Sequence, residues 1–125
     1  MMKKKILIVE DEPSLLKILR DKFKDEGFEV FEAMNGIEGL EGALKNKPDL
    51  ILLDIVMPRM DGMTMLKKLR QDSWGKGVSV MVLTNLSNSR EIEEAVKNGV
   101  FDYLVKTDWK LDSVVSKVKQ SLSLS

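Results

Sequence analysis

The stretch ILIVEDE at residues 6–12 joins four consecutive apolar residues directly to three consecutive carboxylates. A short, continuous run of branched apolar side chains is typical of a strand buried on both faces of a parallel sheet. Similar runs recur along the chain, and one more alternating run predicts an edge strand. The continuous runs lie at 50–53, 78–83 and 103–105, and the alternating run lies at 28–33.

Between these runs, apolar residues recur at three- and four-residue spacing, which is typical of amphipathic helices. Gly27 and Gly99 stand where helices are expected to end, and Pro13 and Pro48 stand where elements are expected to begin. The periodic sets are Leu15, Leu16, Leu19 and Phe23; Ile37, Leu40 and Leu44; Met63, Leu66 and Leu69; Ile92, Ala95 and Val96; and Leu111, Val114, Val115 and Val118.

Strand and helix alternate five times, which predicts an α/β fold: a three-layer α/β/α sandwich around a five-stranded parallel sheet with right-handed crossovers. The expected strand order is 2-1-3-4-5, the doubly wound, flavodoxin-like order, with its switch point between strands 1 and 3. We expect one domain over residues 1–125 and no output domain.

The composition limits the chemistry. Lysine and arginine total 20, as do aspartate and glutamate, so no net charge favours direct binding to nucleic acid or an anionic membrane. The absence of cysteine and histidine excludes disulfides, thiolate chemistry, the commonest transition-metal ligand and a phosphohistidine of the chain's own. No apolar run is long enough for a signal peptide or a membrane span, so we expect a cytoplasmic protein.

Polar residues directly follow the predicted strands. Glu10 and Asp11 follow strand 1, Asp54 follows strand 3, Thr84 follows strand 4 and Lys106 follows strand 5. Ligands of open α/β sheets bind outside the carboxyl ends of the strands, near the switch point. The sequence therefore predicts that these five side chains converge on one rim of the sheet.

Taken singly, each of these residues has an ordinary structural interpretation, such as a helix N-cap, a turn residue, a strand end or a solvated charge. Together, Glu10, Asp11 and Asp54 would repel one another unless a cation lay among them, and an oxygen-only set suits Mg²⁺. Asp11 and Asp54 are the best candidate ligands, with Glu10 acting directly or through water. Lys106 would offer a point charge to a phosphoryl oxygen.

This constellation has a carboxylate nucleophile, a lysine and a hydroxyl, and its only candidate general bases are other carboxylates. It fits phosphoryl transfer onto Asp54, where positioning and charge neutralisation account for most of the catalysis. The sequence has no glycine-rich triphosphate loop of the G-x-x-x-x-G-K-[ST] type. The phosphoryl donor is therefore expected to be another molecule.

Four segments resemble the response regulator receiver family in order and spacing: I-L-I-V-E-D-E from Ile6, D-I-V-M-P-R-M-D-G from Asp54, Thr84, and Y-L-V-K ending at Lys106. The resemblance covers essentially the whole chain. It implies a switch domain of a two-component system rather than an enzyme in the ordinary sense. A sensor histidine kinase or phosphotransfer protein would supply the phosphoryl group, and an output protein would contact the face formed by helix 4, strand 5 and helix 5.

The resemblance also implies roles for individual residues. Asp54 would be the phospho-acceptor, and Mg²⁺ or Mn²⁺ would bind Glu10, Asp11, Asp54 and the backbone carbonyl of Val56. Lys106 and Thr84 would stabilise the phosphoryl group, and Thr84 would move together with the ring of Tyr103. The domain is expected to be a monomer or a weak homodimer.

Three residues depart from the common pattern of the family. Glu10 stands where many members have Asp, Thr107 follows Lys106 where Pro is common, and Asn85 follows Thr84 where a smaller residue is frequent. A cis Lys106-Thr107 bond would cost about 2.5–4 kcal/mol, so a trans or strained loop is expected. We also predict that Val56 and Leu86 hinder hydrolytic water and prolong the life of the phosphoryl group.

Three alternative functions make different demands on the sequence. A haloacid-dehalogenase-like phosphatase needs a second Asp two residues after the nucleophile, where Val56 stands. An FMN binder needs a phosphate-binding Gly, Ser or Thr loop after strand 1, where carboxylates stand instead. A receiver-like docking module that works without phosphorylation remains the main alternative.

Overall fold

The computed structural model describes residues 3–55, 60–84, 89–105 and 110–122. Strands and helices alternate along the whole chain, as the apolar pattern predicts. In chain order the elements are β1 (Lys5–Val9), α1 (Pro13–Asp25), β2 (Glu29–Ala33), α2 (Gly36–Asn46), β3 (Leu50–Asp54), α3 (Gly62–Gln71), β4 (Ser79–Thr84), α4 (Ser89–Lys97), β5 (Asp102–Val105) and α5 (Leu111–Ser121).

The strands form one parallel sheet in the order β2-β1-β3-β4-β5. This confirms the predicted fold and places β2 at an edge. The register aligns the carboxyl ends of the strands: Val9 lies opposite Leu53, and Asp54 lies opposite Leu83. Residues that follow β1 and β3 are therefore brought to the same rim.

Successive side chains of each strand point to opposite faces of the sheet and belong to two apolar clusters, one on each face. Leu7, Ile51 and Val82 face α2, α3 and α4, whereas Ile8 and Leu52 face α1 and α5. Every residue of β3 is buried, because helices cover both faces of the sheet. The continuous apolar runs of the central strands follow from this double covering.

Helix α2 forms where predicted but buries a different face. Its buried residues are Gly36, Gly39 and Ala43, whereas Ile37 and Leu44 are exposed. A Cβ added at Gly39 would lie 2.8 Å from the Met65 sulfur and 3.0 Å from Val9, so this face must carry small residues. The helix backbone lies close to the sheet, Leu40 packs at the margin of the apolar cluster, and Ile37 and Leu44 point outward.

Helix α4 is held to α3 largely by polar contacts. Among the described side chains of α4, only Ala95 is buried, and Val96 is 55% exposed. Lys67 of α3 forms an ion pair with Glu94 of α4. The Arg70 guanidinium donates hydrogen bonds to four backbone carbonyls: Gly75 (2.7 Å), Val78 (2.8 Å), Asn98 (2.7 Å) and Gly99 (3.1 Å).

The ends of two helices are set as the sequence predicts. Gly27 and Gly99 adopt φ values of +92° and +83°, the left-handed region in which glycine is favoured. Pro13 is the first residue of α1, where its missing N–H is tolerated. In the described part of the chain, none of the helices has both the length and the hydropathy that crossing a bilayer requires.

Candidate functional site

The first two carboxylates of the site stand directly after β1. Glu10 is fully buried, and its backbone N–H donates to the Ala33 carbonyl at 3.0 Å, which extends the pairing with β2 by one residue. A Glu10 carboxylate oxygen accepts from the Glu12 N–H at 3.2 Å. The Glu10 side chain therefore accepts a hydrogen bond at the N-terminus of α1. Glu12, the N-cap residue of this helix, makes no capping bond with its own side chain.

The third carboxylate belongs to the central strand. Asp54 is the last residue of β3 and is 3% exposed. The next residue, Ile55, donates its N–H to the Leu83 carbonyl of β4 at 3.3 Å, so the chain is still bound to the sheet just beyond Asp54. The backbone around Asp54 is therefore held by β3 before this residue and by the hydrogen bond from Ile55 to β4 after it.

Glu10, Asp11 and Asp54 come together as predicted. Each offers a carboxylate oxygen, and these three atoms all lie within 4.8 Å of one another. Two unit charges at about 4 Å repel by about 4 kcal/mol at an effective dielectric constant of 20, so a divalent cation among them would remove a substantial repulsion.

The donor set fits Mg²⁺. Oxygens on opposite sides of an octahedral Mg²⁺ are about 4.2 Å apart, so a small side-chain rotation or one bridging water brings three oxygens with this spacing to one ion. Hard carboxylate ligands without nitrogen or sulfur also favour Mg²⁺ or Mn²⁺ over zinc or copper. Glu10, Asp11 and Asp54 could therefore hold such an ion together.

Two residues at the start of α3 belong to the motif that begins at Asp54, but the sequence alone gave them no role. The Asp61 side chain accepts from the Thr64 N–H at 2.8 Å and caps the helix. Gly62 donates its N–H to the Ile55 carbonyl at 2.7 Å, and a Cβ at Gly62 would collide with the Asp54 carbonyl oxygen. The Asp-Gly pair of the motif therefore places α3 directly against the backbone of the candidate phospho-acceptor.

The β2–α2 turn supports the same region. Asn35 is buried and caps α2 by accepting from the Glu38 N–H at 2.9 Å, while its amide donates to the Glu38 carboxylate at 3.0 Å. Gly36 donates its N–H to the Met60 carbonyl at 2.7 Å, which ties this turn to the segment before α3. An Asn three residues before a Glu is a capping signal that the sequence already contained.

The remaining predicted site residues are described in part or not at all. The backbone of Thr84 ends β4 and pairs with Val105, the last residue of β5, but its side chain lies outside the described residues. Tyr103 lies on β5 and is 43% exposed. The predictions on Val56, Asn85, Leu86, Lys106 and Thr107 concern residues outside the described ranges.

The family model for the response regulator receiver domain matches residues 6–119. The chain belongs to this family.

Two curated relatives illustrate the range of receiver-containing proteins. Sporulation initiation phosphotransferase F of Bacillus subtilis strain 168 is 33% identical over 99% of this chain and 98% of its own length. The DNA-binding response regulator MtrA of Mycolicibacterium smegmatis is 32% identical over 97% of this chain. The alignment covers only 51% of MtrA, so the chain spans about half the length of that relative.

Among solved structures, the receiver domain of sensor histidine kinase PA1611 from Pseudomonas aeruginosa PAO1 has a TM-score of 0.85 and 25% sequence identity. The match covers 95% of this chain and 97% of that one. That structure has a magnesium ion coordinated in its active-site cleft. This receiver thus belongs to a family of two-component signalling domains and has an acidic pocket suited to a metal ion and to a phosphorylated aspartate.

Proposed function

We propose that this receiver domain is a switch that accepts a phosphoryl group on Asp54. The observation that carries the proposal is the position of Asp54: a carboxylate 3% exposed, at the carboxyl end of the central strand, with carboxylate oxygens of Glu10 and Asp11 within 4.8 Å. A fixed nucleophile beside a cation site is the arrangement that phosphoryl transfer requires.

The phosphoryl donor is a phosphohistidine on a sensor histidine kinase or a phosphotransfer protein. The chain has no histidine and no triphosphate-binding loop, so both the donor residue and its energy source belong to a partner. An Asp54 carboxylate oxygen attacks phosphorus while the P–N bond of the phosphoimidazole breaks. The imidazole keeps the bonding electron pair, takes up a proton and leaves, and Asp54 becomes an acyl phosphate.

Mg²⁺ or Mn²⁺ is the proposed cofactor, held by Glu10, Asp11, Asp54 and the backbone carbonyl of Val56. When bound, it supplies positive charge that offsets the repulsion between these carboxylates and the incoming phosphoryl oxygens. Glu10 also has a structural role, because its carboxylate accepts a hydrogen bond from the Glu12 N–H at the start of α1.

The phosphoryl group shifts the face formed by α4, β5 and α5. Hydrogen bonds from Lys106 and Thr84, together with one backbone N–H, would each contribute about 1.5–3 kcal/mol. Two or three such bonds reach the roughly 5.5 kcal/mol needed to move a two-state equilibrium from 1:99 to 99:1. Tyr103 would then move inward from its exposed position, and the changed face would contact an output partner.

The alternative is a receiver-like module that docks to its partners without being phosphorylated. Intact-mass measurement after incubation with acetyl phosphate and Mg²⁺ separates the two functions. We expect one added phosphoryl group in the wild type and none in Asp54→Asn or without Mg²⁺. Asp25→Asn, an exposed aspartate at the end of α1, is the matched control and should still be modified.

A protein that gains no mass with acetyl phosphate or with a phosphorylated histidine kinase would support the docking module. A wild type and an Asp54→Asn variant that gain equal mass would show that another residue is the acceptor. For the modified protein, the proposed shielding by Val56 and Leu86 predicts a phosphoryl group that persists for minutes or longer; decay within seconds would contradict this.

A further inference from the structure

The opposite edge of the sheet, where the strands begin, has a depression with the reverse charge. Its volume is about 270 Å³, and Lys3, Lys4, Lys5, Lys47 and Asp49 line it. Four lysines and one aspartate leave a net charge of three positive units. The five residues of β1 separate this depression from the carboxylate site by roughly 16 Å, so the two regions are chemically independent.

Two of the lining residues have structural partners within the depression. The Lys5 N–H donates to an Asp49 carboxylate oxygen at 2.7 Å, and the Asp49 N–H donates to the Lys5 carbonyl at 2.9 Å. The Lys5 ammonium reaches the Asn46 carbonyl at 3.3 Å. Asp49 and Lys5 thus join the end of α2 to β1, and this bonding accounts for the one negative charge in a basic site.

The other three lysines are not neutralised in this way. Lys3, Lys4 and Lys47 are exposed, and within the described ranges none of them forms an ion pair. Three like charges around one small depression repel one another, and an anion placed between them would relieve that repulsion.

The backbone of Lys47 is a second sign that its side chain is needed here. Lys47 ends α2 with φ 47° and ψ 63°, and it is the one non-glycine residue with positive φ among those the structure describes. Glycine is the usual residue at such a helix end, because a Cβ is strained in the left-handed conformation. Glycines adopt the left-handed conformation two residues after α1 and α4, at Gly27 and Gly99, whereas after α2 the left-handed residue carries an ammonium beside the depression.

We propose that this depression binds a small, multiply charged phosphate anion, such as a free oligophosphate or the phosphate chain of a nucleotide. Ammonium groups bind phosphate oxygens as point charges and need no fixed geometry. The volume of about 270 Å³ lies just below the usual range of about 300–1,000 Å³ for sites of drug-sized ligands, which favours a compact anion. This proposal is independent of phosphorylation at Asp54.

The test is a titration of the full chain with sodium tripolyphosphate, without Mg²⁺ and at fixed ionic strength, followed by ¹H–¹⁵N NMR. We expect saturable shifts at the backbone amides of Lys4, Lys5 and Asp49. Lys47→Gly introduces a residue that favours the left-handed backbone and removes the lysine side chain with its ammonium, so the variant should fold well and bind roughly five- to tenfold more weakly. Lys45→Gln removes a charge from the same helix turn, outside the depression, and should bind like the wild type.

Two results would overturn the proposal. Shifts that do not saturate, or equal weakening in Lys47→Gly and Lys45→Gln, would reduce the feature to diffuse attraction between charges. Lys47-dependent binding to phosphatidylglycerol vesicles without any binding of tripolyphosphate would show that the depression recognises a lipid headgroup instead of a free phosphate.

Discussion

Helices α3 and α4 follow the two strands that end at Asp54 and Thr84, yet they are attached to the protein in different ways. Helix α3 buries Gly62, Met63, Met65, Leu66 and Leu69. Among the described side chains of α4, Ala95 alone is buried, and the helix is tied to α3 by one ion pair and the hydrogen bonds of one guanidinium.

This difference indicates where a chemical change at the site can alter the structure at low energetic cost. Removing apolar side chains from a packed core costs several kcal/mol, whereas exposed ion pairs contribute about 1 kcal/mol or less. We therefore expect α3 to hold Asp54 in place, and we propose that α4, together with the adjacent β5, is the segment that new hydrogen bonds to a phosphoryl group displace.

The largest effect is expected in the α3 core. Leu66 is 1% exposed, so Leu66→Ala leaves a cavity in the apolar cluster. The free energy of unfolding should fall by about 3 kcal/mol. Ile92→Ala in α4 changes a half-buried residue and should cost about 1 kcal/mol or less. Urea denaturation of both variants measures the difference, and equal losses would contradict the contrast between the two helices.

The next largest effect is expected at Arg70. Burial lowers the pKa of its guanidinium, because desolvation disfavours the charge, and its hydrogen bonds to four carbonyls offset that cost. Arg70→Met keeps the apolar stem but leaves these carbonyls without their donor, so stability should fall by about 2–3 kcal/mol. Urea denaturation measures this loss.

The same variant should loosen the turn after α4. Hydrogen exchange of the amides from Asn98 to Phe101 should accelerate in Arg70→Met, because the guanidinium holds the carbonyls of Asn98 and Gly99. Lys68→Met removes an exposed charge from the same turn of α3 and is the matched control, expected to leave both stability and exchange unchanged. Similar effects of the two substitutions would exclude a specific role for Arg70.

A smaller effect is expected for the ion pair between α3 and α4. The side chains of Lys67 and Glu94 are 52% and 40% exposed, so a double-mutant cycle of Lys67→Met and Glu94→Gln should give a coupling of about 0.2–1 kcal/mol. Exchange of the α4 amides should nevertheless become faster in each single variant. A coupling above about 2 kcal/mol would mean that α4 is held as firmly as α3.

The smallest effect concerns pH and a pair on the other face of the sheet. The hydrogen bond and charge of Lys119, 2.6 Å away, lower the pKa of Glu26, and Lys22 lowers it further. A lowered carboxyl pKa in the folded state stabilises the protein above the unfolded value, and this contribution is lost as pH falls through the folded value. Below about pH 4.5, wild-type stability should therefore fall more steeply than that of Glu26→Gln.

A matched control for this pH effect is Asp25→Asn, the neighbouring carboxyl, which is exposed and forms no ion pair within the described ranges. Its acid unfolding should follow the wild type. Parallel acid unfolding of the wild type and Glu26→Gln would show that the contacts of Glu26 with Lys119 and Lys22 contribute nothing in solution.

The sequence predicts the strands and the three clustered carboxylates, because continuous apolar runs and residues directly after strands depend on local position. The strand order follows from the common topology of doubly wound folds and not from any single residue. The sequence predicts less well which face a helix buries: on α2 the small Gly39 and Ala43 turn inward, since the helix lies close to Met65 and Val9. Arg70 was not singled out, because an arginine near a helix end looks like a solvated charge until the chain returns at Asn98, 28 residues later.

The most direct test of the account combines phosphorylation with hydrogen exchange. The wild type and Asp54→Asn are incubated with acetyl phosphate and Mg²⁺, checked by intact mass, and compared by amide exchange over residues 62–71 and 89–105. We predict one added phosphoryl group in the wild type only, with exchange changed across α4 and β5 and unchanged in α3. A phosphorylated protein in which both segments change equally, or in which only α3 changes, would contradict the account.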